Sequence, residues 1–329
     1  MSLLPRNIGR IVICSFLTFG AVFFSSSTTS LADPSRIDNR TIQDQAGREV
    51  TVAQPFRRIV SLYGAHTENL FKLGAGSQVI GVSRNEAYPP EALQKPVFSY
   101  RDDPERFLAA RPDLVLIRPM IDRGYPQLVA RLEASGITVV SLQPSSVDQL
   151  RVYWKILGIL TGQQQQALAM ITHFDSAVAE FQSAVSAIQT KKKVYFEAIH
   201  GKMKTFAPGS MAIFVLHAAG GINIAADAEP VRQTNIAAYG KERILSHADR
   251  IDVYLAQFGE MNRPTIDMIK SEPGFSAIKA VRNNDIYLID ERIVSRPTLR
   301  LLDGIQEIGR RLYPEVFTQN AINNNGRQP

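Results

Sequence analysis

Apolar residues along this chain fall into two alternating rhythms, separated by a long stretch with a third. From Arg57 to Leu142, short β-rich runs alternate with short amphipathic ones. Arg57–Tyr63 (RRIVSLY), Val79–Ser83, Val97–Tyr100, Leu114–Ile117 and Ile137–Leu142 read as strands; Thr67–Leu73 and Gln127–Ala134 read as helices. Asp103 followed by Pro104 is a helix-start signature, an N-cap acceptor with proline at the first helical position. Gly74 and Gly76 stop the first helix. From Val147 to Thr190 the period becomes helical: Leu150, Tyr153, Trp154, Leu157 and Leu160, then, past Gly162, a residue able to interrupt the helix, Leu168, Ile171, Phe174, Val178 and Phe181. Strand and helix then alternate again: Lys193–Phe196, a helix over Met211–Ala218, a strand near Asn223, a helix at Glu242, strands over Ile251–Phe258 and Asp285–Ile289, and a closing helix over Leu299–Leu312 ended by Pro314. Such alternation predicts an α/β protein of two Rossmann-like lobes with parallel-type sheets. The stretch between them contains no proline and predicts a stiff helical spacer. The expected boundaries are 33–146 for the first lobe, 147–190 for the spacer, 191–318 for the second lobe and 319–329 for a polar, disordered tail.

Two segments 137 positions apart share one plan. Asp103-Pro104-Glu105-Arg106 leads to Pro112-Asp113-Leu114-Val115, and Gly240-Lys241-Glu242-Arg243 leads to Asp252-Val253-Tyr254. In each, a Glu-Arg pair opens a short helix and an aspartate precedes a strand. The spacing is eight residues in the first copy and ten in the second, so the lobes are alike in plan and not interchangeable.

The chain's 329 residues suffice for two domains, and 45% hydrophobic content suffices for a core in each. Met1–Ala32 reads as a secretory signal: Arg6 and Arg10, an uncharged apolar run from Ile11 to Phe24, then Ser30-Leu31-Ala32 with small residues at the cleavage positions. A membrane anchor is the alternative, although the run is short for a span of about 20 residues. Cys14 is the one cysteine and has Ile13, not a small residue, before it, so it does not fit a lipoprotein signal; the mature chain then has no disulfide or thiol chemistry. Without the two leader arginines the net charge of +6 becomes +4, too mild for a nucleic-acid footprint. These features predict a soluble, exported protein.

Enzyme signatures are mostly missing. There is no GxSxG, HExxH or GxxxxGK[ST] run, and Gly74-Ala75-Gly76 follows a helix and has no third glycine in place. The chain resembles the periplasmic substrate-binding proteins of ABC importers that handle iron–siderophore complexes, haem and vitamin B12. The phrases that carry the resemblance are Val60-Ser61-Leu62 with Thr67-Glu68 and Leu73-Gly74; Gly81-Val82-Ser83; Pro112-Asp113-Leu114-Val115; Leu132 with Gly136-Ile137; Ala219-Gly220-Gly221-Ile222-Asn223-Ile224; and Arg296-Pro297 before the last helix. Together they extend over roughly residues 41–317. The resemblance implies two α/β lobes joined by one long rigid helix, a ligand in the cleft between them, no cofactor and no catalysis. It also implies that Glu105 and Glu242, one on each lobe, dock onto arginines of a membrane permease that works with an ATPase, and that the protein acts as a monomer. The same position in a first helical turn is favoured by the helix macrodipole without any partner.

Ligands of open α/β sheets sit beyond the carboxyl ends of the strands. Tyr63 and His66, Arg84, Tyr100 and Arg118 follow the first four strands of the first lobe. Glu197 and His200, Glu260 and Arg292 follow strands of the second, and Arg232 lies on a loop within reach. Arginines suit carboxylate or catecholate oxygens through bidentate bonds. A ferric siderophore is therefore the expected ligand, with vitamin B12, haem or an oxyanion such as molybdate as alternatives. Glu197, His200 and Met203 could also ligate a metal, or they could serve packing. His173, His217 and His247 fall in helical segments and are expected to be structural or exposed, and Trp154 to be packing. The rival class is an exported two-lobed α/β enzyme using His66, Glu197 or His200 as a base.

Overall fold

The computed structural model describes residues 41–317, apart from Asn85, Ala87, Arg232 and Gln233. The expected signal segment, the polar tail and Arg232 therefore lie outside the described residues.

A short antiparallel ribbon, β1 (Thr41–Gln43) and β2 (Glu49–Thr51), precedes the first lobe. The lobe proper is β3 (Ile59–Ser61), α1 (Gly64–Lys72), β4 (Val79–Ser83), β5 (Val97–Phe98), α2 (Pro104–Ala110), β6 (Leu114–Ile117), α3 (Pro119–Gly124), α4 (Pro126–Ala134) and β7 (Thr138–Ser141). Its five strands are ordered β5-β4-β3-β6-β7, and every pairing is parallel. Central strands β3 and β6 are buried along their whole length, which is why they read as unbroken apolar runs. Asp103 caps α2 by accepting from the Glu105 amide at 3.0 Å, as its sequence signature requires.

Two helices follow, α5 (Val147–Thr161) and α6 (Gln164–Ala184). The helical spacer expected between the lobes is thus built as two helices, the longer of them, α6, of 21 residues. Gly162 ends α5 in the left-handed region at φ 74°, which an L side chain rarely adopts. Four residues earlier, a Cβ on Gly158 would stand 2.8 Å from that of Ala167, so the two helices meet almost backbone to backbone beside the turn. Farther from the turn Trp154 packs on Phe174, with ring centroids 5.4 Å apart, and Arg151 holds Asp175 at 2.7 Å. Partners drawn from opposite ends of the two helices make the pair antiparallel.

The second lobe runs β8 (Lys193–Ile199), β9 (Lys204–Phe206), α7 (Met211–Ala218), β10 (Ile222–Asn223), β11 (Glu229–Pro230), β12 (Ile236–Ala238), α8 (Lys241–Ser246), β13 (Val253–Phe258), α9 (Ile266–Ser271), α10 (Lys279–Arg282), β14 (Ile286–Asp290), α11 (Glu291–Val294) and α12 (Leu301–Leu312). Strands β10, β8, β13 and β14 pair in parallel. The expected parallel plan is broken at one edge. β9 returns directly after a four-residue turn, with Met203 left-handed at φ 45°, so it pairs antiparallel with the second half of β8, and β12 and β11 extend that edge. One edge of β8 therefore serves two neighbours, β10 along its first half and β9 along its second.

One apolar core joins the lobes. It runs from Ile59, Val79 and Leu114 through Trp154, Leu157 and Phe174 to Val194, Leu216 and Ile308 without interruption. Separate clusters back the outer faces of the two sheets. Opening the lobes widely would expose part of the shared core to water, at about 25 cal/mol per Å². Gly162→Ala is expected to lower unfolding stability by about 2 kcal/mol, from the left-handed φ and from a Cβ that would meet Pro55 Cγ at 2.7 Å. Urea denaturation checks this; an unchanged midpoint contradicts it.

Candidate functional site

The carboxyl ends of both sheets open onto one cavity of about 820 Å³. All five strand ends of the first lobe and two of the second deliver residues to it. Tyr63 follows β3, Arg84 follows β4, Tyr100 and Arg101 follow β5, Arg118 follows β6 and Gln143 follows β7. From the second lobe come Gln257 at the end of β13, Glu260 and Met261 just after it, and Glu291, Ser295 and Arg296 after β14. Phe206 and Ile236 add apolar surface from the antiparallel edge.

The two walls differ in charge. On the first lobe, Arg84, Arg101 and Arg118 face the cavity, and the one carboxylate there, Asp102, accepts from Arg106 Nη1 and the Ser99 amide, each at 2.8 Å. On the second lobe, Glu260 and Glu291 accompany Arg296. The arginine-rich wall is therefore cationic overall and the facing wall is not. Arg118 stacks on Tyr63, its guanidinium carbon 4.5 Å from the ring centroid, and its buried Nε has no partner among the described residues. Burial raises the pKa of Tyr63, against the opposing pull of Arg118 and Arg296, so it stands in the cavity as a neutral phenol. Tyr100 packs on Tyr125 at 4.7 Å between centroids, and Arg101 lies 5.8 Å from the Tyr100 ring. An anionic ligand with a flat or apolar body would find charge-assisted donors, aromatic edges and an apolar surface here.

Of the residues expected at the cleft, Tyr63, Arg84, Tyr100, Arg118 and Glu260 line the cavity. Four do not, and each expectation is corrected for the same reason: the side chain is engaged elsewhere. His66 is fully buried behind Tyr63; its Nδ1 is 2.7 Å from the Tyr153 hydroxyl and its Nε2 3.1 Å from the Ile117 carbonyl. A carbonyl can only accept, so Nε2 carries the proton and Nδ1 accepts from Tyr153. Glu197 is fully buried and accepts from the Tyr254 hydroxyl, His200 Nδ1 at 2.8 Å and Asn262 Nδ2 at 3.4 Å. His200, 6% exposed, also has its amide bonded to Asn262 Oδ1 at 2.9 Å. Arg292 turns back onto Asp290, its Nε 2.9 Å from the carboxylate. Met203 packs against the apolar cluster of the second lobe. None of His66, Glu197 and His200 lines the cavity, so the base required by the enzyme reading is not where a substrate would lie. Among the described residues no group of three or more His, Cys, Asp or Glu is arranged to hold a metal ion.

Arg296, Arg101, Gln257 and Glu291 escaped the strand-end argument. Arg101 adjoins Tyr100, and Arg296 belongs to the Arg-Pro phrase before the last helix, so both carried a signal that spacing alone does not rank. Glu105, 62% exposed, is in the first turn of α2 and accepts from Arg131 at 2.9 Å. Glu242 is exposed in the first turn of α8.

Two α/β lobes with one cavity between the carboxyl ends of their sheets, walled by donors and aromatics, define a ligand-capturing cleft protein. Residues 59–293 match the model of the periplasmic binding protein family, and the chain belongs to that family. It is 25% identical over 287 residues to an uncharacterized ABC transporter substrate-binding lipoprotein of Bacillus subtilis, covering 85% of this chain and 87% of that one. It is 25% identical over 263 residues to a vitamin B12-binding protein of Vibrio cholerae, covering 78% and 90%. Among solved structures it is similar to a possible iron-binding, periplasmic solute-binding protein of Staphylococcus epidermidis, with a TM-score of 0.70 and 26% identity over 79% of this chain and 100% of that one.

The buried histidines make opposite pH predictions. Burial lowers the pKa of His66 to about 3. Between there and about 6.5 the unfolded chain binds a proton that the folded chain does not. The contribution of His66 is therefore full above about 6.5 and is lost as pH falls toward about 3. His200 is raised, chiefly by its hydrogen bond to Glu197, so its contribution is full below about 6.5 and is lost as pH rises through its folded value. His66→Gln is expected to flatten the acid side of the melting-temperature profile and His200→Asn the alkaline side. Circular dichroism melts across pH check this, and profiles parallel to wild type contradict it.

Proposed function

We propose that this protein is the extracytoplasmic substrate-binding component of an ABC importer and captures a metal chelate in the inter-lobe cleft. A ferric siderophore bearing catecholate or carboxylate oxygens is the first candidate. The observation that carries this reading is the cationic wall of Arg84, Arg101 and Arg118, interleaved with Tyr63 and Tyr100, facing an 820 Å³ cavity. Pockets for drug-sized ligands occupy about 300–1,000 Å³, so the volume suits a chelate and is far too large for molybdate. Vitamin B12 is the second reading, supported by the name of the Vibrio cholerae relative. The protein carries out no covalent chemistry in this scheme; it delivers its ligand to a permease and ATPase as a monomer, after export on a leader cleaved following Ala32.

Glu105 and Glu242 are proposed to plant the protein on the permease, one carboxylate from each lobe. Two exposed charges on a rigid body set register and speed encounter more than they add affinity.

Isothermal titration with a ferric tris-catecholate, ferric citrate, haem, vitamin B12 and molybdate tests the ligand. An anionic ferric chelate is expected to bind most tightly and to weaken as salt rises. Arg84→Ala and Arg118→Ala are expected to weaken it about tenfold or more each. Failure of every chelate to bind overturns the reading. Substituting both Glu105 and Glu242 with alanine is expected to leave chelate affinity unchanged while reducing uptake by cells; normal uptake ends the docking proposal.

A further inference from the structure

Four consecutive polar residues of α1 are buried: His66, Thr67 and Asn69 at 0% exposure and Glu68 at 4%. Helical neighbours point about 100° apart, so the four side chains leave the helix in four directions, and each reaches a different element. His66 bonds Tyr153 of α5, and Thr67 donates to Ser61 at 2.8 Å and Glu86 at 3.1 Å within the first lobe. The other two cross to the second lobe. Glu68 receives both arms of Arg300, Nε at 2.8 Å and Nη2 at 2.7 Å. Asn69 donates to the Pro297 carbonyl at 2.8 Å and accepts from Trp154 Nε1 at 3.0 Å.

Pro297 and Arg300 belong to the connector between α11 and α12, the same six residues that supply Ser295 and Arg296 to the cavity wall. Ser295 is bonded in turn to Gln257, which also faces the cavity. One helix of the first lobe thus grips one of the segments through which the second lobe meets the ligand space.

We propose that Glu68 and Asn69 are positioning residues of the cleft: by clamping the connector Ser295–Arg300 they set the separation of the two walls and the placement of Arg296 before ligand arrives. The ligand part of this proposal rests on reading the cavity as the binding site. A planar Arg–carboxylate pair tolerates little rotation, and here it is nearly dry, so loss of either partner leaves a buried charge unpaired. A cleft held at its working width also spares the ligand the ordering of its walls, which lengthens residence more than it speeds arrival.

Pulsed electron–electron spin resonance on the full chain tests this without ligand. Cys14→Ser removes the one native cysteine, and labels at Ala109→Cys on α2 and Lys270→Cys on α9, both exposed positions, report the separation of the lobes. A narrow distance distribution is expected with Glu68 and Arg300 intact, and a broad one in Glu68→Gln and Arg300→Ala. Arg300→Lys, which keeps the charge and loses the fork, is expected to fall between them and decides the matter should Arg300→Ala fail to fold. With a ferric tris-catecholate as probe, the off-rate is expected to rise about tenfold in Glu68→Gln while the on-rate changes little. Narrow distributions in Glu68→Gln and Arg300→Lys overturn the clamp, even where melting temperatures fall, because lowered stability alone does not move the lobes. Broad distributions in a protein whose unsubstituted form binds no chelate leave the clamp standing and remove the ligand reading instead.

Discussion

Polar groups sealed inside a protein must find partners there, and helix α1 concentrates that constraint. An unpaired buried amide or carboxylate costs several kcal/mol. His66, Thr67, Glu68 and Asn69 are all sealed, so the helical hairpin, the loop around Glu86 and the connector before α12 must each be placed within hydrogen-bond reach of one short helix. Because the four side chains diverge around the helix, these demands are met together only by one arrangement of first lobe, hairpin and second lobe. The continuous apolar core beneath α1 works in the same direction with less precision, since apolar contact is non-directional. Burial holds the lobes together, and the polar contacts select the angle.

The same logic separates the cleft from what lies behind it. In each lobe a buried histidine sits beneath the cavity wall: His66 under Tyr63 in the first, and His200 with Glu197 under the Asn262 loop in the second. The Asn262 loop carries Glu260 and Met261 to the cavity, and Gly259 donates back to the Asn262 carbonyl at 2.8 Å. Such loops carry few apolar contacts of their own, so a satisfied polar network beneath them is what gives the ligand a shaped surface. Residues with the strongest chemical character in the sequence therefore serve the wall from behind, while arginines, tyrosines and a methionine form its face. The asymmetry of charge across the cavity follows from which strand ends contribute. Four of the five strands of the parallel sheet are followed by Tyr63, Arg84, Tyr100 with Arg101, and Arg118, whereas the second lobe brings two carboxylates with its arginine.

Much of the architecture was legible along the chain because strand and helix periods depend on near neighbours. Val79–Ser83, Leu114–Ile117 and Met211–Ala218 form as their apolar patterns require, and Asp103-Pro104 starts a helix where capping chemistry places it. Five of the strand-end positions reach the cavity because the end of a parallel strand is a topological location, readable once strands are assigned. Helix α6 and the antiparallel edge were harder. Gly162 decides between one long helix and a hairpin through a left-handed φ, and β9 reverses through the left-handed Met203, neither of which alters the apolar period around it.

The sequence by itself determined the two α/β lobes, the helical stretch between them and the strand ends on which a site could stand, because these follow from local propensity and from the burial of one face of each element. Only the tertiary structure decided which side chains the site contains. His66, Glu197, His200 and Arg292 share strand-end positions with Tyr63 and Arg118, yet the first three are turned inward and the fourth is held by Asp290. Their partners, Tyr153, Tyr254 and Asn262, lie 87, 57 and 62 residues from them in sequence, and Glu68 meets Arg300 across 232. Pairings at such separation leave no periodic trace in the chain, so the polar contacts that shape this cleft exist only in the folded molecule.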